Sequence, residues 1–183
     1  FISLLVMLEC MLPFFMIFEG RKPMARELVI ISALCGLAVA GRAAFYMFPQ
    51  FKPVLALVII SGVAFGGETG FLVGAVTMLV SNMFFQQGPW TPWQMFAMGI
   101  IGFLSGILFR KGFLWRDRIS LSIFGFLSAV IIYGGIMNPS SAIIAGTELN
   151  RYVLASYYAV GLPMDIVHGL ATAVFLFIGA EPM

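Results

Sequence analysis

The stretch QQGPWTPWQM, residues 86–95, is the part of this sequence whose residue types best suit the capture of a small solute. Its tryptophan rings can stack on a flat ring, and its glutamine amides can donate and accept hydrogen bonds. Its prolines fix the backbone dihedral angle φ and would hold these side chains in place. The stretch therefore indicates a surface for a polar, ring-containing solute. Tryptophans at the edge of a span also serve as membrane-interface anchors, and that alternative stays open.

No motif in the chain indicates a reactive centre. The phosphate-binding pattern GxxxxGK[ST] is absent, as are the hydrolase pattern GxSxG and the zinc pattern HExxH. The chain has one histidine, and its two cysteines, Cys10 and Cys35, lie within apolar runs and form no CxxC spacing. We therefore expect a binding or transport subunit that is not an enzyme, has no intrinsic cofactor or metal, and is energised by another protein.

Asp165 and His168 lie three residues apart in the last apolar run, so they share one face of a predicted helix. Pro163 precedes them and frees backbone carbonyl groups that the pair could satisfy. An acid and a histidine inside a membrane can also form a proton relay. Because no other acid falls deep within a span, we favour a hydrogen bond between packed helices and keep the relay as the alternative.

The composition places these residues in a membrane protein. The 183 residues are 61% hydrophobic and only 10% charged, with a mean hydropathy of +1.04. A soluble domain of this size needs far more charge to cover its surface, whereas apolar runs of about 16 to 25 residues can cross a bilayer as helices. We predict an all-α, polytopic fold. Its apolar segments are 1–18, 24–46, 53–66, 69–85, 92–109, 119–137 and 150–178.

The basic residues predict which loops face the cytoplasm. Seven of the ten lie in EGRKPMARE and RKGFLWRDR, the first and fifth connections. Basic loops face the cytoplasm, so alternation of the spans places FPQFKP (48–53), the 86–95 stretch and the loop 137–151 on the outer side. These three loops carry prolines, amides and aromatic rings, which predicts an outward-facing cap or pocket. The net charge of +2 is too small to indicate a nucleic-acid partner.

Small residues recur along the second apolar segment. Gly36, Ala40 and Ala44 are spaced four residues apart, and Ala33 lies nearby. Such a pattern leaves a flat groove on a membrane helix where another helix can approach closely.

Taken together, these segments resemble the substrate-binding S component of energy-coupling factor (ECF) vitamin transporters. The resemblance covers about residues 26–178. It rests on four quoted stretches, RELVIISALCGLAVAGRAAF, FKPVLALVIISGVAFGGETGFLVGAVTMLVSN, GPWTPWQMFAMGIIGFLSGILFRKG and GLPMDIVHGLATAVFLF. The combination of FKPVLALVII with GPWTPWQM resembles a cobalamin-type subgroup.

The resemblance implies six core transmembrane helices in residues 24–183. Residues 1–23 would then form an additional N-terminal transmembrane helix and a basic cytoplasmic linker. In that family the outer loops cover a vitamin, and a transmembrane coupling protein with two ATPase subunits drives its release inward. The partner role of the first core helix would fall on Ala33, Gly36, Ala40 and Ala44. The implied location is the bacterial cytoplasmic membrane.

Loop composition and the resemblance together predict capture of cobalamin (vitamin B12) at the outer face. The predicted substrate-binding residues are Arg42, Lys52, Gln86, Gln87, Trp90, Trp93, Gln94, Tyr133 and Asn138. Arg42 and Lys52 could instead extend to lipid headgroups. Two other functions stay open, an S component for another vitamin or nucleobase-like solute and a proton-coupled carrier that uses Asp165 and His168.

Overall fold

The structure, a computed structural model, describes residues 2–20 and 22–179, and the regular elements of this part of the chain are all helical. Residues 1, 21 and 180–183, which fall in the predicted N-terminal and core regions, lie outside the described residues. The α-helices are α1 Ile2–Gly20, α2 Ala25–Ala44, α3 Val54–Phe65, α4 Gly67–Phe85, α5 Thr91–Arg110, α6 Arg118–Leu127, α7 Gly134–Ile144 and α8 Arg151–Gly179. A π-helical segment, Ser128–Tyr133, joins α6 and α7 into one continuous rod.

These elements confirm the predicted all-α, polytopic architecture. Among the described residues, five stretches are long and apolar enough to cross a membrane, and α3 is a shorter apolar helix. The five stretches are Ala25–Ala44, Gly67–Phe85, Thr91–Arg110, Arg118–Ile144 and Arg151–Gly179. The boundary between an extra N-terminal helix and a six-helix core stays a prediction.

Helices α3, α4 and α5 meet through glycines that bring their backbones into direct contact. A Cβ atom on Gly102 would collide with the backbone carbonyl group of Gly70, and one on Gly106 would collide with the backbone of Gly67. On α3, a Cβ atom on Gly62 would collide with the carbonyl oxygen of Gly102. Small residues drive helix association in membranes because they allow close van der Waals contact. This glycine interface positions α4 and α5, which carry much of the site described below.

The turn between α3 and α4 is a single residue, Gly66. Its φ of +109° lies in a region that side chains with a Cβ atom rarely adopt. The predicted tight glycine turn is therefore present, and it makes α3 and α4 an antiparallel pair.

Helix α1 packs on the same core as the other helices. The ring of Phe14 stacks on that of Phe71 of α4 with their centroids 3.9 Å apart, and it meets Phe103 of α5 edge-on at 5.1 Å. Met11 is buried between them and the remaining core. These contacts attach α1 to α4 and α5.

The predicted loop 137–151 is too long, because α7 continues through Pro139 to Ile144. A proline inside a helix removes the hydrogen bond to the carbonyl group four residues earlier, here that of Gly135. The hydroxyl of Tyr158 on α8 donates to that carbonyl oxygen over 3.1 Å. A side chain from a neighbouring helix thus replaces the lost bond, which the local sequence signal of the proline could not indicate.

Replacing Tyr158 with phenylalanine should lower the free energy of unfolding by about 0.5–1.5 kcal/mol, the usual net value of one hydrogen bond. Tyr152→Phe on the same helix is the matched control, since its hydroxyl accepts only from the neighbouring Arg151. In a Pro139→Ala background the alanine N–H can bond to Gly135, so the effect of Tyr158→Phe should shrink. Equilibrium unfolding in detergent measures all four variants, and an undiminished loss in the Pro139→Ala background would contradict this account.

Candidate functional site

A cavity opens where α2 and α4 end and α3 and α5 begin, and we call this end of the molecule the cavity end. It measures about 120 Å³. Its lining residues are Arg42, Gln50, Lys52, Val54, Met78, Gln94, Met98, Tyr133 and His168. Pockets that enclose drug-sized ligands measure roughly 300–1,000 Å³, so a ligand of that size would fit only after the cavity widens. The segment 45–53, which lies between α2 and α3, is not helical and contributes Gln50 and Lys52 to the lining.

A hydrogen-bond network with side chains of α4 holds Arg42 in place. The Nη1 atom of Arg42 donates to Ser81 Oγ at 2.5 Å and to Asn82 Oδ1 at 2.7 Å. The Nδ2 atom of Asn82 then donates to Gln94 Oε1 at 2.8 Å and to Thr91 Oγ1 at 3.0 Å. Asn82 is fully buried, so its amide must find such partners. The network ties α2, α4 and α5 together and holds Arg42 and Gln94 at the cavity.

The stretch 86–95 contributes one side chain to the lining, Gln94. Gln87 accepts a hydrogen bond from the buried Thr91 hydroxyl at 2.6 Å and so braces the start of α5. The ring of Trp90 folds back over Gly88, where a Cβ atom would collide with it. The stretch therefore mainly organises the N-terminus of α5.

The structure brings together four of the nine predicted substrate-binding residues. Arg42, Lys52, Gln94 and Tyr133 line the cavity. The others are not part of this lining, namely Gln86, Gln87, Trp90, Trp93 and Asn138. Of these, Gln86 and Gln87 are exposed, while Trp90 and Trp93 are half-buried.

Asp165 and His168 make separate contacts and are not hydrogen-bonded to each other among the described residues. Asn138 on α7 donates through Nδ2 to Asp165 Oδ2 at 2.8 Å, so the expected packing hydrogen bond exists between Asp165 and a different partner. Gly134 makes room for this carboxylate, since a Cβ atom there would lie 2.5 Å from Asp165 Oδ2. His168 instead lines the cavity with its ring edge-on to Tyr133 at 4.8 Å.

Five lining residues are not among the predicted substrate-binding residues, namely Gln50, Val54, Met78, Met98 and His168. Of these, His168 is predicted only as a partner of Asp165. Helical periodicity carried a usable signal for two of them. Met98 lies one turn after Gln94, and Met78 lies one turn before Asn82. The π-helical segment that ends at Tyr133 had no signal in the sequence, although such segments are frequent at functional sites.

The cavity is positively charged. Arg42 and Lys52 both line it, and the described lining contains neither aspartate nor glutamate. Burial, with a smaller contribution from the nearby Arg42 charge, lowers the pKa of the Lys52 ammonium group. Its Nζ atom donates to the carbonyl oxygen of Phe48 at 3.1 Å. Arg42 also lies over the Phe85 ring, 5.5 Å from its centroid. The site thus offers an excess of donors and positive charge to a solute.

The small residues predicted to meet a coupling protein lie on an open face of α2. Ala33, Gly36, Ala40 and Ala44 are exposed, and a Cβ atom on Gly36 would meet nothing within 4 Å. Their role in docking stays a prediction. Within the part of the chain that the structure describes, no group of three or more His, Cys, Asp or Glu side chains could hold a metal ion.

Comparison with known proteins identifies the family. The family model described as ECF-type riboflavin transporter, S component, matches residues 27–179. A UPF0397 protein of Vibrio atlanticus is 26% identical over 132 residues, which cover 68% of this chain and 72% of the relative. UPF0397 proteins of Aliivibrio salmonicida and Aliivibrio fischeri are 29% and 28% identical over 105 residues, which cover 55% of each chain.

These matches confirm the predicted S component, a substrate-binding subunit of a membrane transporter of the vitamin type. S components of ECF transporters work with a transmembrane coupling protein and ATPases. The cobalamin-type subgroup stays a prediction, since the matching family is named for riboflavin. The match spans the helices that build the cavity, from α2 to α8, and on this evidence the chain belongs to the ECF-type riboflavin transporter S component family.

Proposed function

We propose that this chain captures a vitamin in the cavity at its cavity end and passes it to an ATP-driven partner. The observation that carries the proposal is the network in which Ser81 and Asn82 hold Arg42 at a cavity between α2, α4 and α5. Donors that are positioned before the solute arrives lose little conformational entropy on binding. The family match supports the same site, because it covers every residue of the lining.

The substrate that fits this lining is a flat, ring-containing vitamin, and riboflavin is the first candidate. The isoalloxazine ring of riboflavin carries carbonyl oxygens and ring nitrogens that accept hydrogen bonds from groups such as Arg42 and Tyr133. The thioethers of Met78 and Met98 lie in the same lining, and sulfur makes favourable contacts with aromatic rings. The name of the matching family agrees with this candidate.

Cobalamin is the second candidate. The sequence pattern of FKPVLALVII with GPWTPWQM supports it, and the amides of Gln50, Gln86 and Gln87 lie near or at the cavity end. A corrin ring with its side-chain amides is much larger than isoalloxazine, so it would require a wider displacement of segment 45–53.

The basic loops support an orientation for the chain in the membrane, and the small-residue face of α2 supports a docking surface for its partner. The basic loops face the cytoplasm under the positive-inside rule, so the cavity end faces outward across a bacterial cytoplasmic membrane. The exposed small residues of α2 form the face that meets the coupling protein, whose two ATPase subunits supply the energy. The chain itself supplies binding and orientation of the vitamin, without a cofactor of its own.

The test is to purify the chain in detergent, identify any co-purified small molecule by mass spectrometry, and measure Tm with riboflavin and with cyanocobalamin. A ligand present at 100 times its Kd stabilises the folded state by about 2.7 kcal/mol, which is readily visible as a rise in Tm. We expect one vitamin to raise Tm. If neither compound nor any co-purified molecule does so, the proposal is wrong.

Uptake into cells separates this function from a proton-coupled carrier. Transport that needs the ATPase partner and survives Asp165→Asn supports the S-component function. Transport that an uncoupler abolishes while ATP is held constant would support the carrier instead.

A further inference from the structure

The cavity contains two cationic side chains and no counter-charge of its own. Arg42 and Lys52 line it, and the lining that the structure describes includes no carboxylate. The aspartate nearest in sequence to the lining residue His168 is Asp165, which is not part of that lining and accepts a hydrogen bond from the Asn138 amide. The positive charge of the site is therefore not neutralised by an acid within the cavity.

The hydrogen bonds that Arg42 donates go to neutral groups and come from one nitrogen atom. Its Nη1 atom donates to the hydroxyl of Ser81 and the amide oxygen of Asn82. These bonds satisfy hydrogen-bonding capacity without cancelling the charge. Arg42 and Lys52 are both half-buried, and cations that are partly removed from water without an opposite charge nearby are costly.

The lowered pKa of Lys52 also indicates that the cavity lacks a negative charge beside this ammonium group. Burial and the charge of Arg42 both disfavour its charged form. A negative group placed between the two side chains would offset both effects, because it supplies the missing charge and forms charge-assisted hydrogen bonds.

A third group in the cavity also lacks a partner. His168 is 5% exposed, and its Nδ1 atom has no hydrogen-bond partner among the described residues. A buried polar atom without a partner is uncommon in folded proteins and calls for an explanation. Since His168 lines the cavity, a polar group of the solute would complete its hydrogen bonding.

We propose that the transported solute carries an anionic oxygen group, a carboxylate or a phosphate, which lies between Arg42 and Lys52, and a second polar group that bonds to His168. This inference rests on the proposed function and narrows its substrate class. Under this inference a phosphorylated or acidic vitamin replaces neutral riboflavin as the first candidate, because riboflavin would leave both cations without a counter-charge.

The experiment compares pairs of compounds that differ in one anionic group. Riboflavin is paired with flavin mononucleotide, and nicotinamide with nicotinate, so that one pair adds a phosphate and the other creates a carboxylate. Inorganic phosphate alone is the probe for the anion without a ring. Tm and Kd are measured on the full chain in detergent.

We expect the anionic member of at least one pair to bind at least tenfold more tightly than its neutral partner. Lys52→Gln should reduce that ratio, Lys52→Arg should keep it because the charge remains, and added salt should lower it. Lys111→Gln, an exposed basic residue beyond the far end of α5, is the matched control and should leave the ratio unchanged.

Equal or tighter binding of the neutral members would overturn the inference and leave the proposed function intact. A charge preference that persists unchanged in Lys52→Gln would also overturn it. If no member of any pair binds, the inference is wrong; the vitamin-binding function is wrong only if cyanocobalamin and every co-purified molecule also leave Tm unchanged.

Discussion

Gly102→Ala is expected to lower the free energy of unfolding by about 3 kcal/mol or more, at or above the upper end of the usual cost of overpacking. The added Cβ atom would collide with the backbone carbonyl group of Gly70 on α4. A backbone atom in a helix cannot rotate away as a side chain can, so α4 and α5 would have to separate. Thermal and equilibrium unfolding of the purified chain in detergent would measure the loss.

Gly36→Ala is the matched control for this prediction. It places the same methyl group on α2, where nothing lies within 4 Å, so the intrinsic preference of helices for alanine should leave stability equal or raise it by up to about 1 kcal/mol. Vitamin binding should fall in Gly102→Ala and persist in Gly36→Ala, because α4 and α5 carry Asn82 and Gln94. Equal stability of the two variants would contradict the close glycine packing.

Arg42→Gln is expected to weaken vitamin binding about 10- to 100-fold, since a hydrogen bond to a charged group contributes about 1.5–3 kcal/mol. The change removes one of the two positive charges of the cavity and the hydrogen bonds from Arg42 Nη1 to Ser81 and Asn82. Arg42→Lys should recover part of the affinity, because it keeps the charge but loses the planar donor geometry.

The control for Arg42 is Arg110→Gln, a basic residue at the far end of α5 that is exposed and lies outside the cavity lining. Titration calorimetry with the identified vitamin gives the Kd of each variant, and Tm without ligand shows whether the variant is folded. An Arg42→Gln protein that is folded and binds with unchanged Kd would exclude Arg42 from the site.

The helices were predictable from the sequence because bilayer-length apolar runs and charged interruptions mark their ends. The segment predicted at 92–109 is Thr91–Arg110 in the structure, and 69–85 is Gly67–Phe85. The loop predicted at 137–151 is too long for a tertiary reason, because Tyr158 of the neighbouring helix α8 supplies the bond that Pro139 removes. A proline predicts the end of a helix from local sequence alone, whereas the hydrogen bond that lets α7 continue comes from another helix.

The site was predictable only in part. Arg42 and Lys52 were found because charges near a span are costly and require a purpose. The tryptophans of the 86–95 stretch are predicted to bind the solute because their rings can stack on it. Residue type does not indicate the direction of a side chain, however, and Trp90 folds back over Gly88. Composition does not place His168 in the cavity, because its neighbours on other helices bring it there.

The most direct test of the central claim, that this cavity opens outward and holds the vitamin, is the chemical accessibility of a cysteine placed at Gln50. This residue is exposed and lines the cavity. The background would carry Cys10→Ser, since Cys10 is exposed and Cys35 is buried. Phe113→Cys, in the basic loop after α5 and also exposed, is the control for the opposite side of the membrane.

We predict that a membrane-impermeant thiol reagent added to intact cells modifies Gln50→Cys, and that saturating vitamin slows the reaction. Phe113→Cys should react only after the membrane is permeabilised, and the vitamin should not protect it. Reaction of Gln50→Cys only after permeabilisation, or at the same rate with and without vitamin, would contradict the account.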